Sequence, residues 1–245
     1  MLGEGRRPPI DVLPEQLTQP LELKSEQELT KFWSTFRRNN GLENNDSVRE
    51  HRLIALQTVQ TLRDLEQNKP IHFFGIKAGE KIVATAKLEI RTKKDGKHGY
   101  LTSLTVDENR RGKGLAKQLT NARTGLARRE GCTYIDTDVF TENPIALVTK
   151  LNDGYTLTDL EFYGDNKEAG KFVLSKKIDG EPEYDKKDGP LGELQEVELT
   201  NLSVINNLLG QGWVGIDAKN LGDPRDKNPK QWKLIMEQTN FAEKY

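Results

Sequence analysis

Residues 109–116 read NRRGKGLA and join an alternating apolar stretch, Tyr100 to Val106 (YLTSLTV), to a helical one, Leu115 to Glu130 (LAKQLTNARTGLARRE). Nothing else in the chain constrains the fold as tightly. Two glycines one residue apart, among Arg110, Arg111 and Lys113, stand where a strand must turn into a helix. A helix N-terminus presents unpaired backbone N–H groups and about half a positive charge, which suits a phosphate. Glycine lets the backbone approach the phosphate oxygens with no Cβ in the way.

Three anion-binding patterns compete for this stretch. The G-x-x-x-x-G-K-[ST] loop of nucleotide triphosphatases has no match here. The dinucleotide fingerprint G-x-G-x-x-G fails because Lys117 stands where its third glycine belongs. The pattern R-x-x-G-x-[GA] is met by Arg111, Gly112, Lys113, Gly114, Leu115 and Ala116. Taken alone, that string also describes a basic turn capping a helix.

Composition narrows the partners. Lys and Arg number 37 against 38 Asp and Glu, a formal net charge of -1, without the basic footprint of a nucleic-acid binder. The single cysteine, Cys132, excludes an intrachain disulfide and suits a reducing, cytoplasmic setting. No apolar run approaches the ~20 residues of a membrane span, and the first residues lack the apolar core of a signal peptide. His51, His72 and His98 are scattered and no C-x-x-C occurs, which argues against a metal site.

Along the chain, residues 1–21 are proline-rich and read as an extended arm. Ser25 followed by Glu28 is a capping-box pattern, opening a helix to Arg38 with Leu29, Phe32, Trp33 and Phe36 at helical spacing. After the polar loop RRNNGLENND, Ser47 to Gln67 reads as a second helix, its core stripe formed by Leu53, Leu56, Val59, Leu62 and Leu65. Three β-rich runs follow, turned by AGEK and KKDGKHG. Then come the helix from Leu115, a strand Cys132 to Phe140, a short helix Asn143 to Asn152, and strands Tyr155 to Tyr163 and Lys171 to Ile178 around the loop GDNKEAG. The order ααβββαβαββ is an α/β fold with a mixed sheet.

The remaining residues, 180–245, form a C-terminal α/β appendage that partly repeats residues 143–176. Asn143/Asn201, Leu151/Leu209, Gly154/Gly212, Asp159/Asp217, Gly164/Gly222 and Asp165/Asp223 match without a gap, and Tyr155 meets Trp213. A two-residue insertion then sets Phe172 against Trp232 and Leu174 against Leu234. The coincidence with punctuating glycines and aromatics points to a duplicated helix-strand-strand unit. Cys132, Trp213 and Trp232 read as packed core residues.

At the loop, the chain resembles the GNAT-type N-acyltransferases, whose R-x-x-G-x-[GA] loop holds the pyrophosphate of acetyl-coenzyme A. The preceding LTVDEN is similar to that family, and ENPIALVTKLNDGY resembles its second signature through Asn143, Ala146, Gly154 and Tyr155. The resemblance covers residues 22–179. It implies a GNAT-like acyl-coenzyme A N-acyltransferase fold, acetyl-coenzyme A as cosubstrate and an amine as acceptor. Residues implied at the cofactor are Leu104, Thr105 and Val106 on a splayed fourth strand, Arg111 to Ala116 in the loop, and Asn143 beside the pantetheine arm. Seven places after the signature asparagine many members carry a proton-donating tyrosine; here Lys150 stands there, to donate a proton or to supply nothing. Base candidates are His98, Tyr100 and Glu89; for His98 the competing reading is a solvated turn residue, and for Glu89 a surface partner of lysines. Asp107 and Glu108 read as turn and helix-start residues. The missing tyrosine and the duplicated tail leave a second function class open, a structural or assembly protein on the same scaffold. The appendage is expected to extend the sheet or to take a partner-like place, supporting a homodimer or larger assembly.

Overall fold

The computed structural model describes residues 17–43, 46–67, 69–163, 166–178, 192–222 and 228–238. In chain order these hold β1 (Leu21–Leu23), α1 (Glu26–Asn39), α2 (Ser47–Glu66), β2 (Ile71–Ala78), β3 (Lys81–Lys93), β4 (Gly96–Val106), α3 (Leu115–Arg129), β5 (Tyr134–Phe140), α4 (Pro144–Asn152), β6 (Thr156–Tyr163) and β7 (Asn166–Lys177). The C-terminal part adds β8 (Leu194–Glu198), α5 (Leu202–Gly210), β9 (Trp213–Asn220) and β10 (Trp232–Gln238). All ten strands make one mixed sheet in the order β1-β2-β3-β4-β5-β7-β6-β9-β10-β8.

The α/β class and the element order are as expected, with one addition. Leu21–Leu23, assigned to the arm and its border, forms an edge strand on β2, with Leu17 bridging Ala78 beyond it. Residues 1–16 of the proline-rich arm lie outside the described residues. A capping box closes α1: Ser25 Oγ accepts the Glu28 N–H and the Glu28 carboxylate reaches back to the Ser25 N–H. The stretch expected as the loop GDNKEAG is mostly strand, because β7 begins at Asn166 and pairs along β6 and β5.

The expected stripe on α2 is a correction. Leu56 and Val59 are exposed, and α2 instead buries Thr58 and Thr61. Trp33 Nε1 donates to Thr61 Oγ1 at 3.1 Å, and the Thr30 and Thr58 hydroxyls lie 3.4 Å apart. These α1–α2 bonds turn the helix so that Leu62 and Leu65, not Leu56 and Val59, pack toward Leu29, Phe32 and Phe73. On the other face, α3, α4 and α5 cover a core that runs from Leu88 and Leu101 through Leu147 and Phe172 to Trp213 and Leu234. Cys132 and both tryptophans of the appendage are buried, as expected.

The units α4-β6-β7 and α5-β9-β10 share one local geometry. Asn143 and Asn201 cap their helices by accepting the N–H of Ala146 (3.1 Å) and Val204 (3.4 Å). Gly154 and Gly212 follow with φ of 82° and 85°, the left-handed conformation that glycine adopts freely. Asp159 and Asp217 each accept the N–H of the next residue, at 2.8 and 2.9 Å. Both hairpins bulge at the same place: Asp159 faces Val173 and Leu157 faces Leu174, while Asp217 faces Ile235 and Gly215 faces Met236. This register sets Phe172 against Leu234 rather than Trp232, so the pairing inferred from sequence is off by two residues. β6 meets β9 antiparallel at Leu157 and Gly215. The offset 215 − 157 equals 201 − 143, so equivalent residues face one another across a local twofold axis. The helices cross reciprocally, α4 packing on β9 and α5 on β6.

Candidate active site

β4 makes the site by being irregular on both edges. Its parallel pairing with β5 runs from His98–Tyr134 to Leu101–Thr137 and stops there, although β4 continues to Val106 and β5 to Phe140. The strands therefore part, leaving a gap walled by Thr102 to Val106 and by Asp138 to Phe140. Against β3 the register slips between Thr85–Thr105 and Lys87–Thr102. This bulge holds Ser103 at φ 53°, the one positive φ outside glycine among the described residues. Bulges of this kind re-aim a strand beside functional sites.

The loop above the gap is shaped by its two glycines. After a 3-10 turn at Glu108–Arg110, Gly112 and Gly114 take φ of 74° and 75°. Gly114 N-caps α3 and supplies no side-chain cap. The other four described α-helices are capped by Ser25, Asp46, Asn143 and Asn201. The first-turn amides of α3 thus lack the side-chain acceptor that every other described helix carries. A Cβ at Gly112 or Gly114 would meet nothing within 4 Å, so the cradle opens outward. The Arg111 Nε donates to Val106 O at 3.3 Å, tying the loop back to the strand.

Asp107 fixes where the loop starts. Its N–H bonds Val83 O at 2.8 Å, Arg38 Nη2 donates to its Oδ1 at 2.9 Å and Lys81 Nζ lies 3.0 Å from its Oδ2. It is buried and anchors the loop to α1 and β3, a larger role than that of a turn residue. Burial by itself would raise its pKa; Lys81 and Arg38 prevail and hold it below the ordinary carboxylate range. A depressed folded-state value stabilises the protein above the unfolded pKa, near 4, and the benefit is lost as pH falls through the folded one. Asp107→Ala is therefore expected to cost about 2 kcal/mol at neutral pH, with the gap to wild type closing as pH drops below about 4. Urea unfolding at a series of pH values checks this, and a pH-independent difference would remove the ion pairs from the explanation.

The base candidates divide. His98 is 2% exposed, which corrects the solvated reading. Its Nδ1 meets Asp136 Oδ2 at 2.9 Å and its ring stacks on Tyr134. Nε2 lies 3.1 Å from Asp95 Oδ1 but out of hydrogen-bond alignment. Asp136 also receives Ser175 Oγ at 2.7 Å and lies 2.8 Å from Lys93 Nζ. His98 stands five residues before Ser103, roughly 16 Å along the strand at about 3.3 Å per residue. Glu89 is drawn to Arg91 (3.0 Å) and Lys87 (3.6 Å); burial opposes them, yet its pKa lies below the ordinary value. Tyr100 donates to Asp138 Oδ1 at 2.9 Å, with the Arg91 guanidinium 3.7 Å over its ring. Burial, then the Asp138 charge, raise the Tyr100 phenol well above its usual pKa, which keeps it a donor.

On the α3–α4 side, Lys150 is half-buried with Nζ 5.1 Å over the Tyr155 ring. Burial, then the nearby Arg123, push its pKa down, and burial pushes Tyr155 up to about 12. Two participants escaped the sequence reading. Asp138, the first β5 residue past the last β4 pair, holds both Tyr100 and Lys171 (3.2 Å). Arg123 is buried on α3, its pKa pushed down to about 10 by burial. Its signal was present: it continues the four-residue spacing of Leu115 and Leu119 on the apolar face of the helix.

An open backbone turn at the N-terminus of α3 thus stands above a gap between parallel strands. Residues 30–148 match the acetyltransferase (GNAT) family, whose members use acetyl-coenzyme A as acetyl donor. Solved structures share the fold. A Desulfovibrio desulfuricans protein assigned to that family has a TM-score of 0.54 at 11% identity, over 67% of this chain and 100% of its own. The GNAT-family acetyltransferase of Streptococcus pneumoniae gives 0.51 at 14%, over 67% and 100%. No curated protein matches the chain in sequence. No described helix is long and apolar enough to cross a membrane.

Proposed function

We propose that the chain is an N-acetyltransferase that passes the acetyl group of acetyl-coenzyme A directly to a primary amine. The uncapped N-terminus of α3, opening above the β4–β5 gap, carries this reading. The backbone amides from Gly112 to Ala116, with Arg111 and Lys113, hold the pyrophosphate. Leu104, Thr105 and Val106 pair their unmatched backbone with the pantetheine arm, and Asn143 caps α4 beside it. The amine nitrogen attacks the thioester carbon, the carbonyl pair moves onto oxygen near the Ser103–Leu104 amides, and the C–S bond breaks. One proton leaves the amine and one joins the thiolate. In this reading Lys150 delivers the second, its depressed pKa easing the transfer. For the first, Asp138 on the diverging arm of β5 is a better acceptor than His98, sealed in the paired half of the strand.

The open loop favours this reading over a purely structural role, since Arg111 bonds back to the end of the strand that feeds the loop and nothing crowds a Cβ at Gly112 or Gly114. Incubation with acetyl-coenzyme A and a panel of primary amines, followed by free-thiol detection, is expected to show amine-dependent release. Binding of acetyl-coenzyme A with no thiol release from any amine would favour the structural role.

The domain limits follow the same reading: an arm to residue 21, an acyltransferase domain over 22–179, and an appendage over 180–245. We propose that the appendage is a partial repeat standing where a second copy would pack, a twofold contact made within one chain.

A further inference from the structure

Arg123 occupies a position on α3 where the periodicity calls for an apolar residue. It is 1% exposed, and among the described residues it has no carboxylate partner. Its Nη1 donates to Lys87 O at 3.1 Å and to Thr102 O at 3.0 Å. Nε reaches Leu119 O and Nη2 reaches Thr120 Oγ1, both at 3.4 Å. Every acceptor is a neutral oxygen. Burying a guanidinium without a counter-ion is costly, so the site forgoes stability that an apolar side chain would have supplied.

The two carbonyls held by Nη1 belong to one register pair, Lys87 and Thr102, the first pair past the slip. Ser103, the next residue, is the one at φ 53°. A bulge breaks the ladder and leaves backbone groups in need of partners, and one guanidinium nitrogen here joins both strands across the break. Arg123 holds Thr102, the residue just past the last β4–β5 pair, and Lys150 and Tyr155 lie within reach of its charge, so a fixed positive charge stands beside the place where the strands part.

We propose that Arg123 is a positioning residue for acetyl transfer: it locks the β4 bulge so that the Ser103–Leu104 amides face the thioester carbonyl, and it sets an uncompensated positive charge behind the gap where negative charge develops. The inference rests on the acetyltransferase reading. Preorganised donors and charges of this kind act on the transition state rather than on ground-state binding.

The test compares wild type, Arg123→Met and Arg123→Lys in three measurements: acetyl-coenzyme A binding by calorimetry, kcat with an amine the wild type accepts, and amide hydrogen exchange at residues 103–106. Arg123→Met is expected to bind acetyl-coenzyme A within about threefold of wild type, to lose about 100-fold in kcat, and to exchange faster at the bulge. Arg123→Lys, which keeps the charge but not the fork, is expected to recover about tenfold of that loss. Unchanged kcat in Arg123→Met, or binding and kcat falling together with no rescue by lysine, would overturn the proposal. Where Arg123→Met does not fold, Arg123→Lys decides: intact binding with kcat down about tenfold supports the role, and wild-type kcat refutes it. A wild type that releases no thiol would instead sink the acetyltransferase reading; bulge exchange would then still decide the locking role.

Discussion

Gly114→Glu is expected to weaken acetyl-coenzyme A binding by at least about 100-fold, or roughly 2.7 kcal/mol, while the protein remains folded. Gly114 caps α3 without a side chain, and a Cβ there points into open space. The new carboxylate would lie where the pyrophosphate must sit, satisfy the free amides and repel the ligand. The substitution also carries a backbone penalty, since φ is 75° and a non-glycine residue in that region costs about 1–2 kcal/mol of stability. Gly114→Ala bears the same strain without the charge and is expected to bind within about tenfold of wild type. Calorimetry on all three proteins separates the effects. Equal loss in both variants would assign the defect to loop geometry rather than to the anion site.

Ending the chain after Ile178 is expected to yield a species that associates with concentration more than the full chain does and unfolds at lower temperature. The cut removes β9, which pairs β6 at Leu157, and strips Trp213, Ile205, Leu208 and Leu234 from the continuous core. Burial of each such side chain contributes about 1.5–3 kcal/mol, and the bared β6 becomes an open edge with unpaired N–H and C=O groups. Sedimentation and thermal unfolding read the two consequences together. A truncated protein that stays monodisperse and equally stable would show that the appendage supports neither the sheet nor the core.

The loop, α3, the capping box of α1 and the hairpin turns were legible because their causes are local: glycines that accept positive φ, a serine and glutamate three apart, alternating apolar residues. What stayed hidden depends on partners distant in sequence. His98 lies in KKDGKHG, as polar a string as any, and is buried only because Asp136, 38 residues on, receives it. The α2 stripe was misread because Trp33 and Thr30 bond threonines and rotate the helix off its leucines. The bulge at Ser103 has no sequence mark, since serine is not a residue that demands positive φ. The glycine-shaped loop of the candidate site was therefore readable, whereas the side-chain partners around the gap were not.

The axis through Leu157 and Gly215 has a consequence for how the two halves can differ. A residue that lies on the twofold axis of a true homodimer must meet its own copy, so at this place leucine would face leucine or glycine would face glycine. Here leucine faces glycine, and a Cβ on Gly215 would come within 2.9 Å of the Leu157 Cβ. A large residue fits a small one at the centre, a fit that identical subunits are denied. Joining the halves in one chain also frees the contact from dilution, because the partner is always present at a fixed effective concentration. On the proposed reading the second half needs no phosphate loop of its own, and acetyl-coenzyme A binding is asked of the first half alone.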